Sequence, residues 1–207
     1  MKFQIGDATD TALCVALKHE FLRCDNAFND FSLYARMMIA SNGGNRRISY
    51  KTYDAYARFI HHLYEFLMGG AVRDFQNTEQ IRAEMAHRIV AGETQRIVTN
   101  RRNAILDGTA PDWENDISYY PEKIPPEFAE EFRKARNKTF GHVSIERSTL
   151  DLSAFYDRYH KFLYLLYYDI RSWWGRYADE FPDLKEITDF SVMVKDDPPP
   201  EGAYVQT

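Results

Sequence analysis

Residues 151–177 read Asp-Leu-Ser-Ala-Phe-Tyr-Asp-Arg-Tyr-His-Lys-Phe-Leu-Tyr-Leu-Leu-Tyr-Tyr-Asp-Ile-Arg-Ser-Trp-Trp-Gly-Arg-Tyr. Leu152, Phe155, Tyr156, Tyr159, Phe162, Leu163, Leu166, Tyr167, Ile170, Trp173, Trp174 and Tyr177 recur mostly at three- and four-residue steps, the spacing of one helical face. Ser148, with Asp151 three residues later, supplies the start signal. This is the most apolar element of the chain and is expected to form the spine of a helical bundle.

Working outward from it, the same periodicity recurs. Leu13, Ala16, Leu17, Phe21, Cys24, Phe28, Phe31, Leu33, Tyr34 and Met37 predict a long first helix over about 11–39, ended by the turn residues Ser41 to Asn45. Tyr53, Tyr56, Ala57, Ile60, Leu63, Tyr64 and Leu67 predict a second over 50–75, which Gly69-Gly70 is expected to bend. A third is expected over 78–106 with Ile81, Met85, Ile89, Ile97 and Ile105 inward, its start marked by Asn77 and Gln80. Residues 109–126 hold Pro111, Trp113, Tyr119, Tyr120, Pro121, Pro125 and Pro126, a long connection aromatic enough to lie packed on the surface. From Pro126 a fourth helix to Phe140 places Phe128, Phe132, Ala135 and Thr139 on one side. The chain is therefore expected to be all-α, an up-and-down bundle of about five long helices spanning 1–181. An acidic, proline-rich tail over 182–207 follows it.

Composition bounds what such a bundle can be. An apolar share of 44% over 207 residues suffices for a core, and 14 Tyr with 14 Phe suit ring packing at core edges. Cys14 and Cys24, ten positions apart, fit neither a disulfide framework nor a zinc knuckle, and both are expected to be reduced. The first residues lack the apolar run of a signal peptide, and the longest apolar run, Phe162 to Tyr168, is far short of a membrane span of roughly 20 residues. A cytoplasmic protein without a membrane partner is expected. The net charge of −5 hides an asymmetry. Eight acids between Asp179 and Glu201 face only Lys185 and Lys195, a local −6 that leaves about +1 for the remainder. Within that remainder Arg133, Lys134, Arg136 and Lys138 fall in six residues, a density that suits RNA or, equally, a solvated helix face.

The chemistry is concentrated in Arg136-Asn137-Lys138-Thr139-Phe140-Gly141-His142. Six positions of unbroken helix rotate the chain by about 240° net and would point Arg136 and His142 apart. Gly141 stands where a left-handed cap ends a helix, which lets His142 fold back toward Arg136. A histidine beside a permanent cation at a helix end can exchange protons near neutral pH while the arginine holds a phosphate. The plainer alternative is a helix C-terminus whose cations favour its dipole.

This arrangement resembles the HEPN superfamily, helical domains marked by Arg, a polar residue, a short variable stretch and His; here the match is Arg136, Asn137, four residues and His142. The resemblance implies a metal-independent endoribonuclease without a cofactor, acting as a homodimer in which two motifs share a cleft. The 2′-hydroxyl attacks the adjacent phosphate and leaves a cyclic phosphate and a free 5′-hydroxyl. His142 would be the acid/base, Arg136 the phosphate clamp and Asn137 an orienting group, with Arg133, Lys134 and Lys138 binding RNA. Many relatives are toxins, with an antitoxin protein as partner, or phage-defence effectors. Members silenced by a nucleotidyltransferase antitoxin often carry a Tyr two residues after the His, where this chain has Ser144. Others only bind or scaffold, so a non-catalytic helical dimerisation protein is the alternative.

Two further constellations gather titratable side chains. Glu84 with His87 and Asp157 with His160 resemble half of a carboxylate-bridged di-metal site, completed only if Glu20 and Glu65 align with them. His61-His62 reads as a partly exposed surface pair.

Overall fold

The computed structural model describes residues 1–42, 45–140, 150–174 and 185–196. Six α-helices appear among them: α1 (Ala8–Ala40), α2 (Arg46–Asp74), α3 (Ala83–Leu106), α4 (Phe128–Phe140), α5 (Leu152–Trp174) and α6 (Lys185–Asp196). The protein is an all-α helical bundle. Helix α6 falls inside the stretch read from sequence as tail, and it incorporates the apolar patch Phe190 to Val194.

Helices α1 and α2 form an antiparallel hairpin whose pairings run in strict order. Phe31 meets Tyr56 at 4.8 Å between ring centroids and Phe28 meets Phe59 at 5.0 Å. Further along, Phe21 meets Phe66 edge-on at 5.9 Å. At the far end the guanidinium of Arg73 donates to both carboxylate oxygens of the buried Asp10, at 2.7 and 3.2 Å. That hydrogen bond and the Gly6 amide hold the Asp10 carboxyl below its usual range. The hairpin begins on capped ends: Asp7 accepts from the Asp10 amide, and Asn45 accepts from the Arg47 and Ile48 amides.

Helix α2 runs without a break through Gly69-Gly70, from Arg46 to Asp74. Gly69 serves helix packing. A Cβ there would stand 2.6 Å from Cδ2 of the buried Leu17, so the missing side chain sets how closely α1 approaches α2.

Helix α5 runs parallel to α2, with His160 against Tyr56 and Tyr167 against Phe59. The Tyr167 hydroxyl donates to Asp25 of α1 at 2.5 Å. Helix α4 runs against α5: Phe128 packs on Phe162 at 5.2 Å, while Lys134 and Lys138 lie beside Leu150 and Asp151 at the start of α5. Phe128, Phe132, Ala135 and Thr139 are all buried, as their spacing predicts. Asp151 caps α5 by accepting from the Ala154 amide at 2.9 Å. The connection over 109–126 contains two short 3-10 turns and is tied down by Arg101 to Glu114 at 2.7 Å and by Arg102 to the Tyr120 carbonyl. Tyr120 is buried there, while Trp113 is exposed.

Helix α3 meets its expectation at Ile97, which is buried, and at Ile81 and Ile105, which pack against the core, but differs in its start and at Met85. It starts at Ala83, not at 78, because Asn77 pairs with Lys2 in an isolated bridge and its side chain accepts from the chain amine and the Glu79 amide. Its buried face is Ala86, Val90, Thr94, Ile97 and Val98, whereas Met85 is exposed. The small Ala86 and Thr94 let α3 sit close, and the Thr94 hydroxyl satisfies itself on the Val90 carbonyl at 2.7 Å.

Two outcomes follow from this packing. Gly69→Val is expected to destabilise the chain by about 1–3 kcal/mol through overpacking against Leu17. Gly70→Ala, where a Cβ meets nothing within 4 Å, is expected to gain up to about 1 kcal/mol of helix propensity; urea denaturation of both variants checks the contrast. The second outcome concerns His160, half-buried with Nδ1 3.3 Å from the Tyr56 hydroxyl and its ring stacked on Tyr156. Burial pushes its imidazole from 6.5 down to about 4. The unfolded chain then binds a proton that the folded chain does not, so stability falls as pH drops from about 6.5 to about 4. Comparing unfolding free energies across that window, His160→Phe is expected to flatten the curve by on the order of 2–3 kcal/mol.

Candidate functional site

The second turn from the end of α4 places Arg136 on the face turned toward α2. Its Nη2 forms an ion pair with Glu65 Oε1, and its Nη1 donates to Asn137 Oδ1 at 2.8 Å. The guanidinium carbon lies 5.8 Å from the ring centroid of Tyr64, a cation–π contact. Its Nε is enclosed and makes no hydrogen bond. Three neighbours from two helices therefore fix the plane of the guanidinium, while the side chain stays about one-third exposed.

A cleft of 380 Å³ opens beside it, between α2, α4 and the segment leading into α3. Arg133, Arg136 and Asn137 line one wall; Tyr64, Glu65 and Gly69 of α2 line the other. Arg133 and Arg136 both approach the Tyr64 phenol. Burial pushes that hydroxyl up, and the two cations pull against the shift.

The five described residues singled out by sequence divide between two faces of α4. Arg133, Arg136 and Asn137 share the cleft. Lys134 and Lys138 lie on the other side, in a groove with Glu127, Glu131, Asp151 and Arg158. Lys134 is spanned by Glu130 and Glu131, each at 2.8 Å, and these hydrogen bonds raise its ammonium above its usual range. The sequence count of four cations without an acid stops one helical turn short of this pair. His142 and the Gly141 cap lie outside the described residues.

Sequence reasoning missed the α2 side of this site. Glu65 holds Arg136, and His61 stands one turn before it on the same face. His61 and His62 are both partly exposed, with their rings edge-on at 5.1 Å. His62 Nδ1 lies 2.7 Å from Glu20 Oε1 of α1, with both side chains largely shielded. Burial acts to raise Glu20, but the His62 hydrogen bond and charge outweigh it and hold the carboxyl below its ordinary value. His61 is half-buried, and burial followed by the His62 charge lowers its imidazole below the usual range. The i, i+4 step from His61 to Glu65 was visible in the sequence, but its partner Arg136, 71 positions on from Glu65, was not.

The di-metal alignment does not form. Glu20 turns to His62, Glu65 to Arg136 and His160 to Tyr56. Among the described residues no cluster of three or more His, Cys, Asp or Glu side chains is placed to hold a metal ion. Both thiols are free, and burial pushes that of Cys24 well up. No described helix is long and apolar enough to cross a membrane. Compared with known proteins, the chain matches no family model, no curated protein and no solved structure.

The Arg136–Glu65 pair orients a cation more than it stabilises the fold. Both partners are about one-third exposed, so Glu65→Gln is expected to cost no more than about 1 kcal/mol. A urea titration measures the difference.

Proposed function

We propose that this chain is an HEPN-like, metal-independent endoribonuclease. The observation that carries the reading is the setting of Arg136: a guanidinium about one-third exposed, held on an open cleft by Glu65, Asn137 and Tyr64, six residues before His142. A cation fixed in this way meets a phosphate without reorganising, which is the condition for stabilising charge that develops in a transition state. Glu65 and Asn137 occupy only part of its five N–H donors, so donors remain for phosphate oxygens.

In this reading Arg136 binds the scissile phosphate and Arg133 extends the cationic wall along the strand. Asn137 keeps the guanidinium plane turned to the cleft, and His142 is the acid/base of the motif. The 2′-oxygen attacks phosphorus, the bond to the 5′-oxygen breaks, and the products carry a cyclic phosphate and a 5′-hydroxyl. Lys134 and Lys138, on the other face of α4, would touch RNA only where the strand wraps the helix end. A homodimer that pairs two such clefts, acting in the cytoplasm as a toxin or phage-defence effector under an antitoxin protein, fits this chemistry.

A second reading, a non-catalytic dimerisation protein, is favoured by one observation. Phe31, Met38, Ile39, Tyr53, Tyr56 and Tyr156 line an apolar groove of 430 Å³ where α1, α2 and α5 meet. Ile39 and Tyr53 are exposed there, and Ile187, Phe190 and Met193 of α6 are exposed elsewhere in the chain.

Incubation of purified protein with single-stranded and structured RNA in EDTA separates the two. The ribonuclease reading expects cleavage that falls at least about 100-fold in Arg136→Ala and in His142→Ala. Cleavage equal in wild type and both variants overturns the assignment of these residues. A dimer by light scattering with no RNA turnover favours the second reading.

A further inference from the structure

Among the described residues two apolar surfaces are left without cover, one on α6 and one in the groove where α1, α2 and α5 meet. Ile187, Phe190, Met193 and Val194 follow three- and four-residue steps along α6, and all four are exposed. Neither apolar core cluster among the described residues includes a residue of α6. At 12 residues α6 is also at the length where an isolated helix is marginal in water, so it depends on a surface that covers its stripe. The groove is lined by Phe31, Met38 and Ile39 of α1, Tyr53 of α2 and Leu152 and Tyr156 of α5, and none of its 11 lining residues is charged. Phe31 to Ile39 run about 12 Å along α1 and Ile187 to Val194 about 10 Å along α6, so the two surfaces match in length.

Their charges are opposite as well. Residues 31–53 carry Arg36, Arg46, Arg47 and Lys51 and no acid, whereas residues 179–201 set eight acids against Lys185 and Lys195, a net −6. Asp30 and Asp54, which flank the basic stretch, are both taken by Arg58, at 3.0 and 3.1 Å, and do not offset it. Opposite charge around an apolar contact steers encounter and fixes register. The groove takes in Leu152 and Tyr156 at the start of α5, whereas α6 follows in sequence from the end of α5; Tyr156 and Trp174 lie about 27 Å apart along that helix. A two-fold axis that sets two copies antiparallel brings the end of each α5 to the start of the other, so both contacts form at once. We infer that α6 docks in the groove of a second copy, and that this reciprocal exchange builds the homodimer. The inference rests on the homodimer that both readings above share, and it needs no chemistry at Arg136.

The test follows the mass of the full chain by light scattering over a concentration series, for wild type, Phe190→Asp on α6 and Ala35→Arg in the groove. Wild type is expected to dimerise, and each variant to do so at least about 10-fold more weakly. Retained helical content by circular dichroism separates this from misfolding. A mixture of the two variants regains one intact contact per heterodimer, and is expected to dimerise better than either variant alone. A photo-crosslinking phenylalanine analogue in place of Phe190, in a mixture of isotope-labelled and unlabelled chains, then reads the contact itself. Cross-linked peptides of mixed isotope that join α6 to residues 31–39, 49–56 or 152–156 are the expected result. A dimer equally strong in both variants overturns the inference and leaves the homodimer standing. A monomer at every concentration overturns both. Cross-links confined to a single isotope put α6 on its own chain and overturn the exchange.

Discussion

Packing α2 against α4 brings Tyr64 edge-on to Phe132 at 5.3 Å and, one residue later, Glu65 onto Arg136. The two contacts do different work. Phe132 is wholly buried and belongs to the main core together with Phe128, Ala135 and the apolar face of α5. Arg133 and Arg136 follow along α4 on the side of α2, where the interface opens to the cleft. The register that satisfies the core therefore also presents the cation. A slip of one residue in either helix would bury the guanidinium or turn it away from Glu65, so the site inherits its precision from ring packing that has no chemical role.

The α1–α2 hairpin stabilises that register from behind. Its ordered series from Phe31–Tyr56 to Asp10–Arg73 leaves α2 little freedom to slide or rotate. Gly69 permits close approach to Leu17 on one side of α2, and the same residue lines the cleft beside Arg136. Structural and functional constraints thus meet on a few turns of one helix. The second helix touches both its hairpin partner and the motif helix, and α5, whose apolar face contributes Phe162, Leu163 and Leu166 to the main core, also packs against α1 and α4.

Much of this architecture is legible in the sequence, for physical reasons that differ by element. Helices α2, α4 and α5 carry large apolar residues at helical spacing, and their buried faces match the expected ones at Tyr56, Ile60 and Leu63, at Phe128 and Phe132, and at Phe162, Leu163 and Leu166. Helix α3 matches its expected face at Ile97, with Ile81 and Ile105 packed against the core, but Met85 is exposed and the small Ala86 and Thr94 carry part of the contact. Small and hydroxylated residues weigh little in a hydropathy pattern, although they allow the closest approach. The start of α3 was misplaced because Asn77 is claimed by the first residues of the chain, a partner 75 positions away in sequence from Lys2. At the site, the α4 half could be read as a motif, whereas Glu65 could not. Its meaning depends on which side of α2 faces α4, and local periodicity does not encode that pairing.

The account reduces to one chemical statement, that a preoriented Arg136 and a proton-transferring histidine cleave RNA through its own 2′-hydroxyl without metal. The most direct measurement is the end-group chemistry of the products made in EDTA, read by mass spectrometry. A 2′,3′-cyclic phosphate on one fragment and a 5′-hydroxyl on the other is the predicted result. Fragments carrying a 5′-phosphate, or cleavage that appears only when a divalent metal is added, would contradict it.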